Sequence, residues 1–197
     1  MTEWGMPEQE IELKFEVDRI AFDIVRAAFP DVDFSEKQLT STYFDTHDQA
    51  LRRAGLTLRV RTGDGGSKQT LKGPGSGGSV FARDEWEAAS GDAPDDAFLM
   101  DTPAPGVLRG KPILPLFRIE NRRVMGLVEL PQGTVEIAMD DAEAVAGDRR
   151  QPFIELELEL KSGSEAALET VALRLRRLVE MHPSQLGKGE RGYRLLA

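Results

Sequence analysis

The run Glu10-Ile11-Glu12-Leu13-Lys14-Phe15 decides how the rest of the chain is read. A β-strand sends successive side chains to opposite faces, so Glu10, Glu12 and Lys14 share one face and Ile11, Leu13 and Phe15 the other. The pattern returns near the far end as Glu155-Leu156-Glu157-Leu158-Glu159-Leu160-Lys161. Two carboxylate-lined strands so far apart in sequence leave two arrangements open. Either both turn acidic faces to water, or both line one polar interior and hold metal there.

Composition narrows the field. The 197 residues suit one domain with a proper core, taken as residues 1–197. At 40% hydrophobic and 30% charged, the chain reads as a soluble globular protein rather than a disordered one. It has no cysteine, which excludes disulfides and thiolate metal sites. No apolar run approaches the ~20 residues of a membrane span, and no basic-then-apolar signal pattern opens the chain. No membrane association is therefore expected, and a cytoplasmic location is the default. The net charge of −9 argues against non-specific nucleic-acid binding. Yet the basic residues fall in short sets, Arg59 with Arg61, Lys68 with Lys72, and Arg122 with Arg123. Cations ordered in this way on an acidic protein suit an anionic ligand.

Strands are read at 10–17, 39–45, 56–61, 67–73, 80–88, 116–124, 126–130, 134–139 and 153–161. Residues 1–9 read as a loose leader, 63–66 as a hairpin turn, 74–78 as a flexible tip and 131–133 as another turn. One amphipathic helix runs from an Asp18 cap to Phe29, and a second from a Ser164 cap to Met181 with Leu168, Val171, Leu175 and Leu178 inward. The 90–112 connection holds two short helices, near 97–100 and 106–110, and the tail 185–197 carries no assigned element. Eight or so hairpin-linked strands with few helices imply a mainly β (α+β) fold, an eight-stranded antiparallel β-barrel with flanking helices.

The polar strand faces gather Glu10, Glu12, Lys14, Arg59, Arg61, Thr70, Lys72, Arg83, Glu85, Glu87, Glu136, Asp140, Glu155, Glu157, Glu159 and Lys161. If these faces converge, the lumen holds many charges of both signs, which is costly unless they are wet, paired or ligand-bound. A polyphosphate with divalent cations fits that mixture, because phosphate takes Arg forks and Lys charges while the metals take carboxylate oxygen. An open sheet with one exposed charged face also satisfies the alternation. The crowding of Glu155, Glu157 and Glu159 favours the interior, since like charges two residues apart repel without cations.

Glu10-x-Glu12-x-Lys14 resembles the opening signature of the CYTH, or triphosphate tunnel metalloenzyme, superfamily. It is followed in order by Tyr43-Phe-Asp-Thr46, Leu58-Arg-Val-Arg61, Gln69-Thr-Leu-Lys-Gly73, Arg83-x-Glu85-x-Glu87, Val135-Glu-Ile-Ala-Met-Asp140, Glu155-x-Glu157-x-Glu159-Leu-Lys161 and Lys188-x-x-Arg191-Gly-Tyr193. The set spans almost the whole chain and looks most like the bacterial inorganic triphosphatase branch, where this domain often precedes a helical CHAD domain.

The resemblance implies a tunnel open at both ends that hydrolyses inorganic triphosphate to pyrophosphate and phosphate with Mg2+ or Mn2+. Carried over residue by residue, it makes Glu10, Glu12, Asp140, Glu155, Glu157 and Glu159 the metal carboxylates. Lys14, Arg59, Arg61, Lys72, Arg83, Arg123, Lys188 and Arg191 become the triphosphate grip, with Glu10, Glu12, Lys14, Glu157 and Lys188 closest to the chemistry. Of the adjacent Arg122 and Arg123, the second is expected to face inward. Gly187 departs from the serine usual in this branch, and neither His47 nor His182 falls on a tunnel strand. Thiamine triphosphatase or class IV adenylyl cyclase activity, or a non-catalytic polyphosphate-binding module, are the alternatives. A homodimer and a CHAD domain in a longer parent chain are the further partners left open.

Overall fold

The computed structural model of the chain describes residues 6–63, 65–75, 81–184 and 186–197. The first five residues of the expected leader, the turn residue Asp64, the strand start at Val80 and most of the 74–78 tip lie outside them. The long strands are β1 (Glu8–Glu16), β2 (Ser35–Asp45), β3 (Thr57–Gly63), β4 (Gly66–Lys72), β5 (Phe81–Ser90), β6 (Leu114–Leu130), β7 (Gly133–Ala146) and β8 (Arg149–Gly163). A two-residue β9 (His182–Pro183) adds to β1. The helices are α1 (Ala21–Ala28), α2 (Ala50–Arg53), α3 (Asp96–Met100), α4 (Ala104–Leu108), α5 (Glu165–Leu175) and α6 (Lys188–Arg194). Among the described residues no helix is long and apolar enough to cross a membrane.

The strands hydrogen-bond in the order β5-β4-β3-β2-β6-β7-β8-β1, and β1 pairs again with β5, so the antiparallel sheet closes on itself. Register then fixes what shares a face, because directly opposed residues in an antiparallel pair point the same way. Glu12 opposes Glu159, Lys14 opposes Glu157 and Glu16 opposes Glu155. Around the wall, Arg123 opposes Asp140, Asp140 opposes Glu155, Tyr43 opposes Arg59 and Lys72 opposes Glu85. One continuous charged face results, and it is the inner one.

The apolar faces turn outward and are covered by helices. Leu13, Phe15, Val135, Ile137, Met139, Leu156 and Leu158 pack beneath α1 and α5, against Phe22, Val25, Leu168 and Leu175. Leu58, Val60 and Leu71 pack beneath α2, α3 and α4, against Leu51, Leu99 and Leu108. A third cluster of Tyr43, Phe117, Ile119, Ala144, Phe153 and Tyr193 is on the inner side instead, since Tyr43 opposes Arg59 and Phe153 shares the face of Glu155, and it seats α6 inside the barrel. The barrel is therefore largely inverted relative to a globular core: most of the hydrophobic contribution, about 25 cal/mol per Å² buried, is gained outside the sheet, and α6 adds a smaller apolar plug within it. The charged interior is left free for ligand.

Several expected boundaries move. The strands expected at 116–124 and 126–130 are one 17-residue β6. Met125 and Gly126 continue the strand, and the backbone at Gly126 is packed so closely that a Cβ there would lie 2.5 Å from Val32 Cγ1 and 2.9 Å from Phe34 Cδ1. Helix α1 starts at Ala21 after Ile20 rather than from an Asp18 cap, although the Asp18 carbonyl accepts from Ala21 N. Helix α5 stops at Leu175 and leaves Leu178 half-exposed instead of inward. Residues 50–53, read as the approach to a strand, form α2, and the unassigned tail forms α6.

Candidate functional site

The strands and α6 enclose a charge-lined cavity of about 1220 Å³ whose wall includes Glu10, Glu12, Lys14, Arg59, Arg61, Lys72, Arg83, Arg123, Glu157, Glu159 and Lys188. Its side chains divide into three groups with different electrostatics.

The first group gathers where α6 meets β6, β7 and β8. Lys188 Nζ lies 2.8 Å from Asp140 Oδ2, 2.8 Å from Glu155 Oε2 and 2.7 Å from Glu157 Oε1. Arg123 donates to both Asp140 oxygens at 2.7 and 2.6 Å and to Glu157 Oε2 at 2.5 Å. Lys14 Nζ adds a contact of 3.1 Å to Glu157. Arg191 spans from Glu155 Oε1 at 3.1 Å to Glu16 Oε1 at 2.7 Å. Burial alone would raise Asp140 and Glu157. Arg123 and Lys188 at the first, and Lys188, Lys14 and Arg123 at the second, outweigh it and hold both well below the usual carboxylate range. Burial works the other way on Lys188, where Asp140, Glu155 and Glu157 overcome it and raise the ammonium. The oxygens of Asp140, Glu155 and Glu157 come within 4.8 Å of one another, close enough to share a metal ion. Glu155 Oε2 is buried with no hydrogen bond: Lys188 is near in charge but off the bonding direction.

The second group lies on β1, β4 and β5. Lys72 Nζ donates to both Glu10 oxygens at 2.7 Å, and Arg83 reaches Glu10 at 2.6 Å and Glu12 at 3.1 Å. Burial opposes the Glu10 charge, but Lys72 and Arg83 hold its carboxyl well below the ordinary range. Lys72 itself is pushed down to about 8 by burial and then by Arg83 and Arg59. Beside them, Glu159 is raised by burial, with Glu10 and Glu136 adding like-charge repulsion against the opposing pull of Lys161. Glu136 is buried and has no ion-pair partner among the described residues.

The third group is the β3 wall. Among the described residues neither Arg59 nor Arg61 has a carboxylate within ion-pair distance. Arg59 is buried with its Nε lacking a hydrogen bond, and Arg61 donates only to Ser41 Oγ at 3.3 Å. Burial and the neighbouring Arg59 and Arg123 push Arg61 down to about 10. These are cations held in place with their anion-binding capacity unspent.

Every candidate named from the sequence thus lies on this inner face or on α6 against it. Arg123 points inward, whereas Arg122 turns out to Glu36 and Asp141. His182 is exposed beside Glu180. Three further residues take part for which the sequence assigns no role. Glu136, four residues before Asp140 on β7, is placed on the polar face by its even spacing but carries no role in the resemblance. Glu16 continues the Glu10-Glu12-Lys14 row. Asp45 stands in the motif Tyr43-Phe-Asp-Thr46, but its role is not readable there because its partners come from α2 and the far C-terminus.

Fold and site together define a closed antiparallel tunnel with a charged, ligand-sized interior. The family model described as the CYTH domain matches residues 8–193, and the chain belongs to that family. It is 31% identical over 193 residues to an inorganic triphosphatase of Haemophilus influenzae, a match covering 95% of this chain and 55% of the relative. The chain thus spans about half the length of that curated relative. Among solved structures it resembles a Pyrococcus horikoshii protein, with a TM-score of 0.66 and 22% identity over 94% of this chain and 99% of that one. It also resembles a Hippeastrum protein described as an adenylyl cyclase candidate with a dominant triphosphatase activity, with a TM-score of 0.63 and 16% identity over 94% and 95%. At these identities the structural likeness concerns the fold alone.

Proposed function

We propose that the tunnel binds inorganic triphosphate and hydrolyses it to pyrophosphate and phosphate with Mg2+ or Mn2+. The observation that carries this reading is the pair Arg59 and Arg61, one buried and one half-buried guanidinium without a carboxylate in ion-pair reach, facing a cavity in which the other candidate cations already have carboxylate partners. A linear polyanion supplies the charge they lack, and planar guanidinium forks match phosphate oxygens. The activity of the Haemophilus relative supports the same substrate class.

The donor set suits a hard divalent ion, because every candidate ligand is a carboxylate oxygen and no His or Cys competes. Glu10, Glu12 and Glu159, with Glu157 beside them, would hold it where Glu159 feels the repulsion of Glu10 and Glu136. Asp140 and Glu155 complete the metal carboxylates expected from the sequence, but their charge is met by Lys188, Arg123 and Arg191. When bound, the metal neutralises phosphate charge and polarises the attacking water.

The chain's own residues do the positioning. Arg59 and Arg61 grip one side of the phosphate chain, and Lys72 and Arg83 can turn from Glu10 toward it. Lys14 and Lys188, which share Glu157, bring two ammoniums to one carboxylate and meet the charge that grows on the leaving group. Water adds to the terminal phosphorus, the P–O–P bond breaks and pyrophosphate leaves with the bridging oxygen. No covalent nucleophile is required.

Phosphate release from inorganic triphosphate, ATP and thiamine triphosphate, each with Mg2+ or Mn2+, tests the proposal. Turnover of inorganic triphosphate well above the organic substrates is expected, and Glu12→Gln should abolish it. Binding without cleavage under every divalent ion would instead identify a polyphosphate-binding module.

A further inference from the structure

We propose that the contacts between α2 and α6 place the Lys188 ammonium in the tunnel, making Arg52, Asp45 and Tyr193 positioning residues for the triphosphate hydrolysis inferred above. This deepens that reading and rests on it. Helix α6 has only seven residues, two of them glycine, and its N-cap Gly187 makes no side-chain cap bond. Such a segment does not hold a helix by its own propensity. Its position must come from what it packs against.

Three contacts supply it. The Tyr193 hydroxyl donates to Asp45 Oδ2 at 2.8 Å, and the same fully buried carboxylate accepts from the backbone N–H groups of Thr46, Leu51 and Arg52 at 2.7, 2.9 and 3.0 Å. Asp45 therefore joins the end of β2, the start of α2 and the far end of α6 through one side chain. Arg52 then grips Glu190 at both carboxylate oxygens, at 3.2 and 2.8 Å, and lies 4.7 Å from the Tyr193 ring centre. Gly192 presses so closely on Phe117 that a Cβ would sit 2.0 Å from the ring, which fixes the helix's depth. Lys188 is the first residue of this helix, and its ammonium must meet Asp140, Glu155 and Glu157 within 2.8 Å. A shift of α6 by an ångström would lengthen all three contacts, whereas Arg59 and Arg61 sit on β3 and would stay in place.

The test measures hydrolysis of inorganic triphosphate with Mg2+ by Tyr193→Phe, Arg52→Glu, Glu190→Arg and the double swap Arg52→Glu/Glu190→Arg. Each is made in the wild-type chain and again on a Lys188→Ala background. The single variants should lower kcat roughly tenfold with KM nearly unchanged, since one hydrogen bond or ion pair is lost and β3 still binds the substrate. The double swap should recover most of the loss. On the Lys188→Ala background the same changes should cost less than about twofold, because residues acting through one group are not additive. An equal loss with and without Lys188, or no recovery in the swap, overturns the proposal in favour of a general packing role. Protection of Lys188 from reductive methylation, read by mass spectrometry, checks the positioning without turnover. It should fall in the single variants and return in the swap. If wild type shows no hydrolysis while that protection pattern holds, the proposed reaction fails and the positioning of Lys188 stands; unchanged protection sinks the positioning itself.

Discussion

Two walls of one tunnel solve opposite electrostatic problems. Where α6 meets β7 and β8, three carboxylates and the cations Lys188, Arg123, Arg191 and Lys14 neutralise one another within a few ångströms. On β3, buried Arg59 and half-buried Arg61 have no carboxylate within ion-pair distance among the described residues, and Glu85 and Glu10 act on Arg59 only from farther away. Internal pairing stabilises the first wall and rigidifies it. The second is left electrostatically unfinished, which is what a site for a multiply charged anion needs. A buried cation without a close carboxylate costs folding free energy, and the proposed anionic ligand would offset that cost on binding.

The sharpest way to break this contrast is to remove the hub of the paired wall. Glu157→Ala leaves Lys14, Lys188 and Arg123 short of a shared acid, and should cost about 3–5 kcal/mol of stability along with all triphosphate turnover. Urea midpoints and phosphate release read both effects. Next in size, Arg61→Ala should leave the urea midpoint unchanged or slightly raised while weakening triphosphate binding by roughly a hundredfold, as expected for lost charge-assisted contacts of about 1.5–3 kcal/mol. If Arg61→Ala unfolds the protein as readily as Glu157→Ala, the two walls do not differ in the way described.

A smaller effect concerns Lys72, whose ammonium is pushed down to about 8. Below that pH the group is already charged and binding triphosphate needs no proton. Above it, binding must take one up, so the affinity of EDTA-treated protein should fall by up to about tenfold per pH unit. Calorimetry across pH 7–9.5 should show the bend, and Lys72→Arg should flatten it. The smallest effect is expected from Glu136→Gln. Relieving the repulsion on Glu159 should raise the thermal midpoint of the metal-free protein by a degree or so on the order expected for a few tenths of a kcal/mol. The same change should weaken Mg2+ binding, read by titration.

The barrel was legible because a strand's period is two: each of the charged rows could be assembled from alternation alone, and the registers Glu12–Glu159 and Arg123–Asp140 keep them on one face. Alternation could not say which face was inside. Both faces are buried here, one by helices and one by the closed sheet, so the distinction rested on the crowding of Glu155, Glu157 and Glu159. Gly126 and Gly192 each have a side chain or ring pressed against the backbone, where a Cβ would lie 2.5 Å from Val32 Cγ1 and 2.0 Å from the Phe117 ring. Close approach between distant segments leaves no periodic trace. The Asp45–Tyr193 bond was invisible for that reason too.

The pairing of β1 with both β5 and β8 carries a kinetic consequence. The strand made first must wait for the one made nearly last, and Arg191 finds Glu16 across 175 residues. Folding dominated by such distant partners is slow, because loop closure must precede the contacts that reward it. Until β8 emerges, the β1 edge that it pairs with stays open, and Leu13 and Phe15 on the outer face lack part of their cover. The growing chain's exposure to misassociation is therefore set by the time between those two strands.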